Sequence, residues 1–130
     1  MKKSIASLAL LLMTLAASAV ANDEHHIKAP LVPADGSGVS GFVELTQLPH
    51  GGTNIQVVAT GLTPGAVYTS FYYESSDCTA PADELQTFTA DAAGVGLANG
   101  KIDDDLDEVG SVSVRAGSGY GPLQACATVH

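Results

Sequence analysis

The chain has 130 residues, which is enough for one small domain. Fourteen aspartates and glutamates stand against five lysines and arginines, giving a net charge of −9, and the aromatic residues are four tyrosines and three phenylalanines. Because nucleic acids and anionic membranes bind clustered lysine and arginine, this charge argues against both as partners and favours cations or basic partners.

Residues 1–21 have the pattern of a secretory signal peptide. Lys2 and Lys3 precede an apolar stretch from Ile5 to Leu15, and small residues then lead to a cleavage site after position 21. Cleavage there would leave three bases against 14 acids, a net charge of −11. No later apolar run reaches the roughly 18 residues that a membrane-spanning helix needs. We therefore expect a periplasmic or secreted protein without membrane insertion after cleavage.

Residues 22–37 mix charges with prolines and show no sustained hydrophobic period, which predicts a flexible N-terminal arm. Residues 38–130 instead alternate between apolar and polar side chains, so they are expected to form one all-β domain. Turns are expected at glycine-containing sites such as 63–65 and 99–100. The predicted strands are 39–47, 53–60, 66–74, 85–91, 94–102, 109–116 and 123–129. Seven strands of this kind favour two packed sheets, each with one wet and one dry face.

Two segments offer candidate metal ligands. In the acidic run between two predicted strands, Asp103, Asp105 and Asp107 could supply oxygen atoms to a hard cation such as Ca²⁺. In the N-terminal arm, His25 and His26 could bind copper or nickel. The alternatives are a solvated charged loop and a solvated polar arm.

Three stretches occur in an order and spacing that resemble one known family. They are Gly61-Leu62-Thr63-Pro64-Gly65 followed by Glu74 and Cys78, then Asp83-Glu84-Leu85 with residues 90–95, then Val109-Gly110 with Leu123-Gln124-Ala125-Cys126-Ala127-Thr128-Val129. Together they resemble the Cu/Zn superoxide dismutase family, in its bacterial secreted branch. Over residues 38–130 the resemblance implies a Greek-key, immunoglobulin-like β-sandwich. It also implies a disulfide between Cys78 and Cys126, the only two cysteines of the chain.

The same resemblance implies where copper ligands would stand. The family holds copper partly by a histidine pair, His-x-His, on the strand after the first motif. Counting forward from that motif places the pair at Ser70 and Tyr72, whereas counting back from the cysteine places it at Phe71 and Tyr73. Alternation favours the first pair, whose side chains would then point outward. Neither pair contains a histidine.

The remaining site positions have also changed. By the resemblance, the later copper histidine falls at Ala116, the anion-guiding arginine falls at Leu123, and the zinc carboxylate is reduced to Glu84 or Asp83. Since serine, tyrosine, alanine and leucine cannot replace imidazole ligands of copper, we expect no bound cofactor and no dismutase activity.

Tyr68, Tyr72 and Tyr73 concentrate aromatic residues on one strand and are candidate interface anchors, unless shortened loops cover them. The sequence thus predicts a non-catalytic module that binds an unidentified protein or small ligand, or has a structural role. One alternative is a metal-binding protein that uses His25, His26 and the acidic loop. Another is a residual Cu/Zn superoxide dismutase.

Overall fold

The computed structural model describes residues 21–22 and 25–130. Eight main strands form the domain, and the one helical element of these residues is a single 3-10 turn, Leu106–Glu108. The strands are β1 (His26–Pro33), β2 (Ser40–Gln47), β3 (Thr53–Thr60), β4 (Val67–Tyr73), β5 (Ala82–Thr89), β6 (Gly96–Ile102), β7 (Ser111–Ala116) and β8 (Leu123–Thr128). A two-residue strand, Ala21–Asn22, pairs with the start of β1. The predicted signal peptide lies outside the described residues, apart from its last residue.

All strand pairings are antiparallel, in the order β5-β4-β7-β8-β1-β2-β3-β6. Strand β1 joins two halves, because residues 26–31 pair with β2 whereas Val32 and Pro33 pair with β8. The first half therefore comprises β1, β2, β3 and β6, and the second comprises β5, β4, β7 and β8. The β3–β4, β5–β6 and β6–β7 connections cross between them. The prediction of an all-β sandwich is confirmed.

Alternating side chains build the core between the halves. In β3, Ile55, Val57 and Ala59 are buried, as the period-two pattern predicted. Opposite them, Val112 and Val114 of β7 are fully buried in the same cluster. One face of each strand thus stays dry, and burial of these apolar side chains is the main favourable contribution to folding.

The predicted flexible arm over 22–37 is wrong for residues 26–33, which form β1. Ile27, Ala29 and Leu31 are buried in the core cluster, so this segment does have a period-two apolar face. Pro30 interrupts the pattern in the sequence but lies where β1 pairs only with β2. A strand tolerates proline at such an edge, because no ladder hydrogen bond to a second neighbour is lost.

All seven predicted strands exist, with bounds that differ by at most three residues. The turn predicted at 63–65 is present, and the Ala66 amide donates to the Thr63 carbonyl oxygen at 3.0 Å. The turn predicted at 99–100 is wrong, because Asn99 and Gly100 lie inside β6 and pair with β3. The β-ladder there overrides the local preference of the Asn-Gly pair for a turn.

Candidate functional site

The orientation of β4 decides which side chains occupy the face that the resemblance assigns to a metal site. Tyr68 belongs to the main core and Tyr72 packs against it, so Ser70 between them also faces inward. Phe71 and Tyr73 belong to a separate cluster on the outer face. The prediction that Ser70 and Tyr72 point outward is therefore wrong. Strand β4 pairs with β7 without interruption, so Tyr68, Ser70 and Tyr72 share one face. The register shift in the β4–β5 pairing lies on β5, where Leu85 has no partner in the ladder.

The other predicted site positions do not form an outward cluster either. Ala116 lies opposite Tyr68 in the β4–β7 ladder and packs against the main core. Ser70 is fully buried, and its hydroxyl donates to the Ser113 carbonyl oxygen at 2.9 Å. Glu84 is exposed on β5. Of the four predicted metal-site positions, Ser70, Tyr72 and Ala116 thus face the inside of the sandwich, and Glu84 does not.

A hydrogen-bonded arginine occupies the outer face instead. Arg115, at the end of β7, donates from Nε to the Tyr73 hydroxyl at 3.0 Å. Its Nη1 donates to the Gly121 carbonyl oxygen at 2.9 Å, and its Nη2 donates to the Cys78 carbonyl oxygen at 3.1 Å. The planar guanidinium can reach three acceptors in different directions, which an ammonium group on a single stem cannot do equally well. We call Arg115, Tyr73, Ser113 and Tyr120 the arginine cluster.

The floor of the arginine cluster is polar and closed to solvent. Tyr73 is 2% exposed and Ser113 is 0% exposed, and their hydroxyl oxygens are 2.7 Å apart. The neighbouring Ser111 hydroxyl donates to the Ser75 carbonyl oxygen at 2.6 Å and accepts from the Cys78 amide at 2.9 Å. Every hydroxyl here has a partner, as buried polar groups require.

A disulfide closes one side of this cluster. Cys78 and Cys126 are joined at an S–S distance of 2.08 Å, as the resemblance implied. Cys126 is on β8, opposite Ser113 of β7, so the bond anchors the loop after β4 to the outer face. Together with the Arg115 contacts, it holds residues 74–81 and 117–122 over the second half.

Tyr120 covers the other residues of the arginine cluster on the solvent side. Its ring lies 3.8 Å from the Arg115 guanidinium carbon and meets the Phe71 and Tyr73 rings edge-on, with centroids 5.1 and 6.5 Å apart. Burial raises the pKa of Tyr120, its hydrogen bond and charge interaction with Tyr73 add to that rise, and Arg115 opposes it. Tyr120 therefore keeps its proton at neutral pH.

The predicted interface of Tyr68, Tyr72 and Tyr73 is not an exposed surface. Tyr68 and Tyr73 are buried, and the Tyr68 hydroxyl accepts the Thr63 amide at 2.9 Å. Tyr72 is half-buried on the inner side, where burial raises the pKa of its hydroxyl, followed by the charges of nearby aspartates, Asp83 foremost. Tyr68 and Tyr73 are therefore not available as exposed anchors, and only Tyr72 keeps part of its surface accessible.

The acidic run is a folded loop, fastened to the β2–β3 turn. The Asp105 carboxylate accepts the Gly52 amide at 2.8 Å and the Gln47 side-chain amide at 3.0 Å. These hydrogen bonds lower the pKa of Asp105. Asp103 and Asp107 are exposed. One of the three candidate carboxylates is therefore already engaged in holding the loop.

The pKa of the neighbouring Asp104 is shifted in the opposite direction. Burial raises its pKa, and the charges of Glu108, Asp83, Glu74 and Asp103 add to that rise. Two adjacent aspartates thus have pKa shifts of opposite sign.

This contrast gives a matched pair of substitutions. Asp104→Asn removes repulsion between neighbouring carboxylates at neutral pH, so we expect a slightly higher thermal midpoint. The gain in the free energy of unfolding should be less than about 1 kcal/mol, because such charges are largely screened by solvent. Asp105→Asn loses a charge-assisted hydrogen bond, so we expect a lower midpoint. Equal shifts of the same sign for the two variants, measured by circular dichroism at pH 7, would contradict this assignment.

The pH dependence follows from the same shifts. The stabilisation by Asp105 is present above the ordinary carboxyl value of 3.8 and is lost as the pH falls through its lowered pKa. The cost of ionised Asp104 is present above its raised pKa and is relieved as the pH falls through it. The thermal midpoint of Asp104→Asn should therefore converge with that of the wild type at a higher pH than the midpoint of Asp105→Asn does.

None of the four histidines lies on β4 or β7, the strands that carry Tyr73, Ser113 and Arg115. His26 Nε2 is 3.1 Å from the Glu44 carboxylate across β1 and β2, and His25 is exposed beside it. His50 is in the β2–β3 turn, and His130 Nδ1 lies 2.9 Å from the Val109 carbonyl oxygen. Within residues 21–22 and 25–130, no group of three or more histidine, cysteine, aspartate or glutamate side chains is arranged to hold a metal ion. His25 and Asp105 nevertheless line the same cavity of about 480 Å³, together with Gln47, Leu48, Pro49 and Gly51.

No model of a known protein family matches the chain, and no curated protein matches it. In the part of the chain that the structure describes, no helix is long and apolar enough to cross a membrane.

The arginine cluster can hold loops and present a guanidinium and an aromatic edge, but it offers no histidine, no free thiol and no hydroxyl beside a base. Counting from the motifs missed Arg115 as a site residue. The alternation of Val112 and Val114 with Ser113 could have found it, because that alternation places Arg115 on the face opposite the core.

Proposed function

We propose that the protein is an exported, non-catalytic relative of the Cu/Zn superoxide dismutases, which serves as a binding or structural module. The observation that carries the proposal is the arginine cluster. The outer face of β4 and β7 carries Tyr73, Ser113 and Arg115, joined by hydrogen bonds through the Tyr73 hydroxyl, and no imidazole. A guanidinium is never a copper ligand at ordinary pH, because it stays protonated.

Two further observations support the family part of this proposal. The disulfide joins the two cysteines that the resemblance pairs. The connections β3–β4 and β6–β7 cross between the halves, which is compatible with a Greek-key arrangement. The disulfide is also compatible with export to an oxidising compartment.

Metal binding through the N-terminal histidines is the second candidate, and residual dismutase activity is the third. The His26 ring already faces the Glu44 carboxylate, so a copper ion would have to compete with that contact. The acidic loop would have to release Asp105 from Gly52 and Gln47. Both contacts weigh against these segments as ready-made sites.

An assay of superoxide dismutation tests the proposal. The protein is incubated with copper and zinc salts, desalted to remove free ions, and assayed beside the variant His25→Ala/His26→Ala. We expect no activity above the desalted buffer in either sample. Activity that rises in proportion to protein concentration, and persists in the variant, would contradict the proposal.

A further inference from the structure

The Asn99-Gly100 pair, whose sequence predicts a turn, lies inside β6 and pairs with β3. Close packing explains the glycine, because a Cβ atom at position 100 would lie 2.8 Å from the Leu85 Cδ1 atom of β5. An asparagine before a glycine is chemically labile. The glycine has no side chain to hinder its own backbone nitrogen from reaching the asparagine side chain. The packing of Leu85 thus leaves a reactive pair in the strand.

The side chain of Asn99 is accessible to water. It is exposed, and none of the described residues forms a hydrogen bond with its side-chain amide. It also lines a groove of about 370 Å³ on the outside of β3 and β6. Solvent therefore reaches the carbon atom, Cγ, at which an asparagine side chain is attacked.

The backbone of the same pair is held on both sides. The Asn99 amide donates to Gln86 Oε1 of β5 at 2.9 Å, so it points away from β3. Because hydrogen bonding alternates along an antiparallel pair, the Gly100 amide points toward β3 and donates to its partner Ile55. Ile55 is fully buried. The nitrogen that would attack Asn99 is therefore engaged in a protected part of the ladder.

We propose that Asn99 is a site of spontaneous deamidation, which β6 keeps latent until the strand leaves the ladder. The reaction begins when the Gly100 nitrogen gives its proton to hydroxide, and the ladder hydrogen bond opposes that loss. Once released, the nitrogen attacks Cγ of Asn99 and a C–N bond forms. The side-chain nitrogen takes a proton from water and leaves as ammonia. Water then opens the cyclic imide to aspartate or isoaspartate.

The two products differ in their effect on the fold. Aspartate adds one negative charge to a chain whose net charge is −9 and leaves the backbone unchanged. Isoaspartate routes the backbone through the side chain and so adds one methylene group before Gly100. The pairs that follow, from Gly100 with Ile55 to Ile102 with Thr53, then lose their register. Unfolding that lasts long enough for this reaction becomes irreversible. This inference goes beyond the proposed function and does not depend on the loss of catalysis.

Peptide mass spectrometry of the exported, purified protein tests the proposal. Samples are kept at pH 8 and 37 °C, either folded or in urea, and the gain of one mass unit is located by fragmentation. We expect the gain at Asn99 in urea. In the folded protein its rate should be lower by about tenfold or more, because only the open fraction reacts. Gly100→Ala should slow the reaction in urea, where packing against Leu85 plays no part.

The variant Gln86→Ala tests the role of the strand in the folded protein. It removes the acceptor of the Asn99 amide and so makes opening of β6 easier. We expect deamidation roughly twofold to tenfold faster than in the folded wild type, the effect of one lost hydrogen bond. The matched control is Gln124→Ala, whose side chain donates to the Pro122 carbonyl oxygen at 3.2 Å and does not contact β6. Its rate should equal that of the wild type.

Refolding tests the irreversibility. After incubation in urea, the recovered circular dichroism signal of the wild type should fall in proportion to its isoaspartate content. Asn99→Ser, treated identically, should recover fully, which controls for damage elsewhere in the chain. Equal deamidation rates in folded and unfolded protein would overturn the proposal. So would equal rates for Gln86→Ala and Gln124→Ala, a mass gain mainly at Asn22 or Asn54, or full refolding of isoaspartate-containing chains.

Discussion

Removing the disulfide should lower the free energy of unfolding by about 4 kcal/mol, the largest effect that we expect from any change to this chain. Cys78 and Cys126 are 48 residues apart, and in the chain-entropy account a longer closed loop restricts the unfolded chain more. Urea unfolding of Cys78→Ala/Cys126→Ala against the wild type measures the difference.

The disulfide-free variant should remain folded at room temperature. The Cys78 amide still donates to the Ser111 hydroxyl, and its carbonyl oxygen still accepts from Arg115. Wild-type protein under reducing conditions is the matched control and should unfold at the same urea concentration as the variant. A difference below about 1 kcal/mol between oxidised wild type and variant would contradict the stabilising role, because native disulfides typically contribute 2–5 kcal/mol.

Replacing Arg115 should have the second largest effect. Arg115→Met removes three hydrogen bonds and the contact with the Tyr120 ring. Hydrogen bonds that involve a charged group contribute roughly 1.5–3 kcal/mol each and are not additive, so we expect a loss of about 3 kcal/mol. For a domain of this size, that loss corresponds to a fall in thermal midpoint of more than about 10 °C.

Arg115→Lys separates geometry from charge. Lysine keeps the positive charge but cannot donate in three fixed directions, so we expect it to recover less than half of the loss. Amide hydrogen exchange should report faster exchange of residues 117–122 in both variants, because the Gly121 carbonyl oxygen loses its donor. Full recovery by lysine, or unchanged exchange in that loop, would show that the guanidinium does not hold it.

The fold could be predicted from the sequence where burial follows a regular alternation. In β3 and β8 one face is apolar and the other polar, so register and orientation are determined by burial. Strand β1 could not be recognised because Pro30 and Pro33 interrupt a short apolar alternation. It is stabilised by pairing with β2 and β8, which lie elsewhere in the sequence.

The orientation of β4 could not be predicted for a different reason. Tyr68 and Tyr72 on one face and Phe71 and Tyr73 on the other are all aromatic, so hydrophobicity does not distinguish the two faces. Counting forward from the first motif and counting back from Cys78 also disagree by one residue, although β4 itself pairs with β7 without interruption. The outward position of Arg115 follows from the alternation in β7, but its contacts could not be predicted, because two of its acceptors are backbone oxygens in loops.

The absence of a metal site and the presence of the arginine cluster are two aspects of one proposal. If the outer face is filled by hydrogen-bonded Tyr73, Ser113 and Arg115, there is neither a ligand nor an open position for copper. The disulfide and the Arg115 hydrogen bonds then hold the loops of residues 74–81 and 117–122 and so stabilise the second half.

The copper and zinc content of the protein, purified from the compartment where it accumulates, tests this account most directly. Elemental analysis should find far less than one copper and one zinc per chain in the wild type, and no change in His25→Ala/His26→Ala. Copper that binds the wild type but not that variant would assign metal binding to the N-terminal histidines. Stoichiometric copper retained by both proteins would contradict the account.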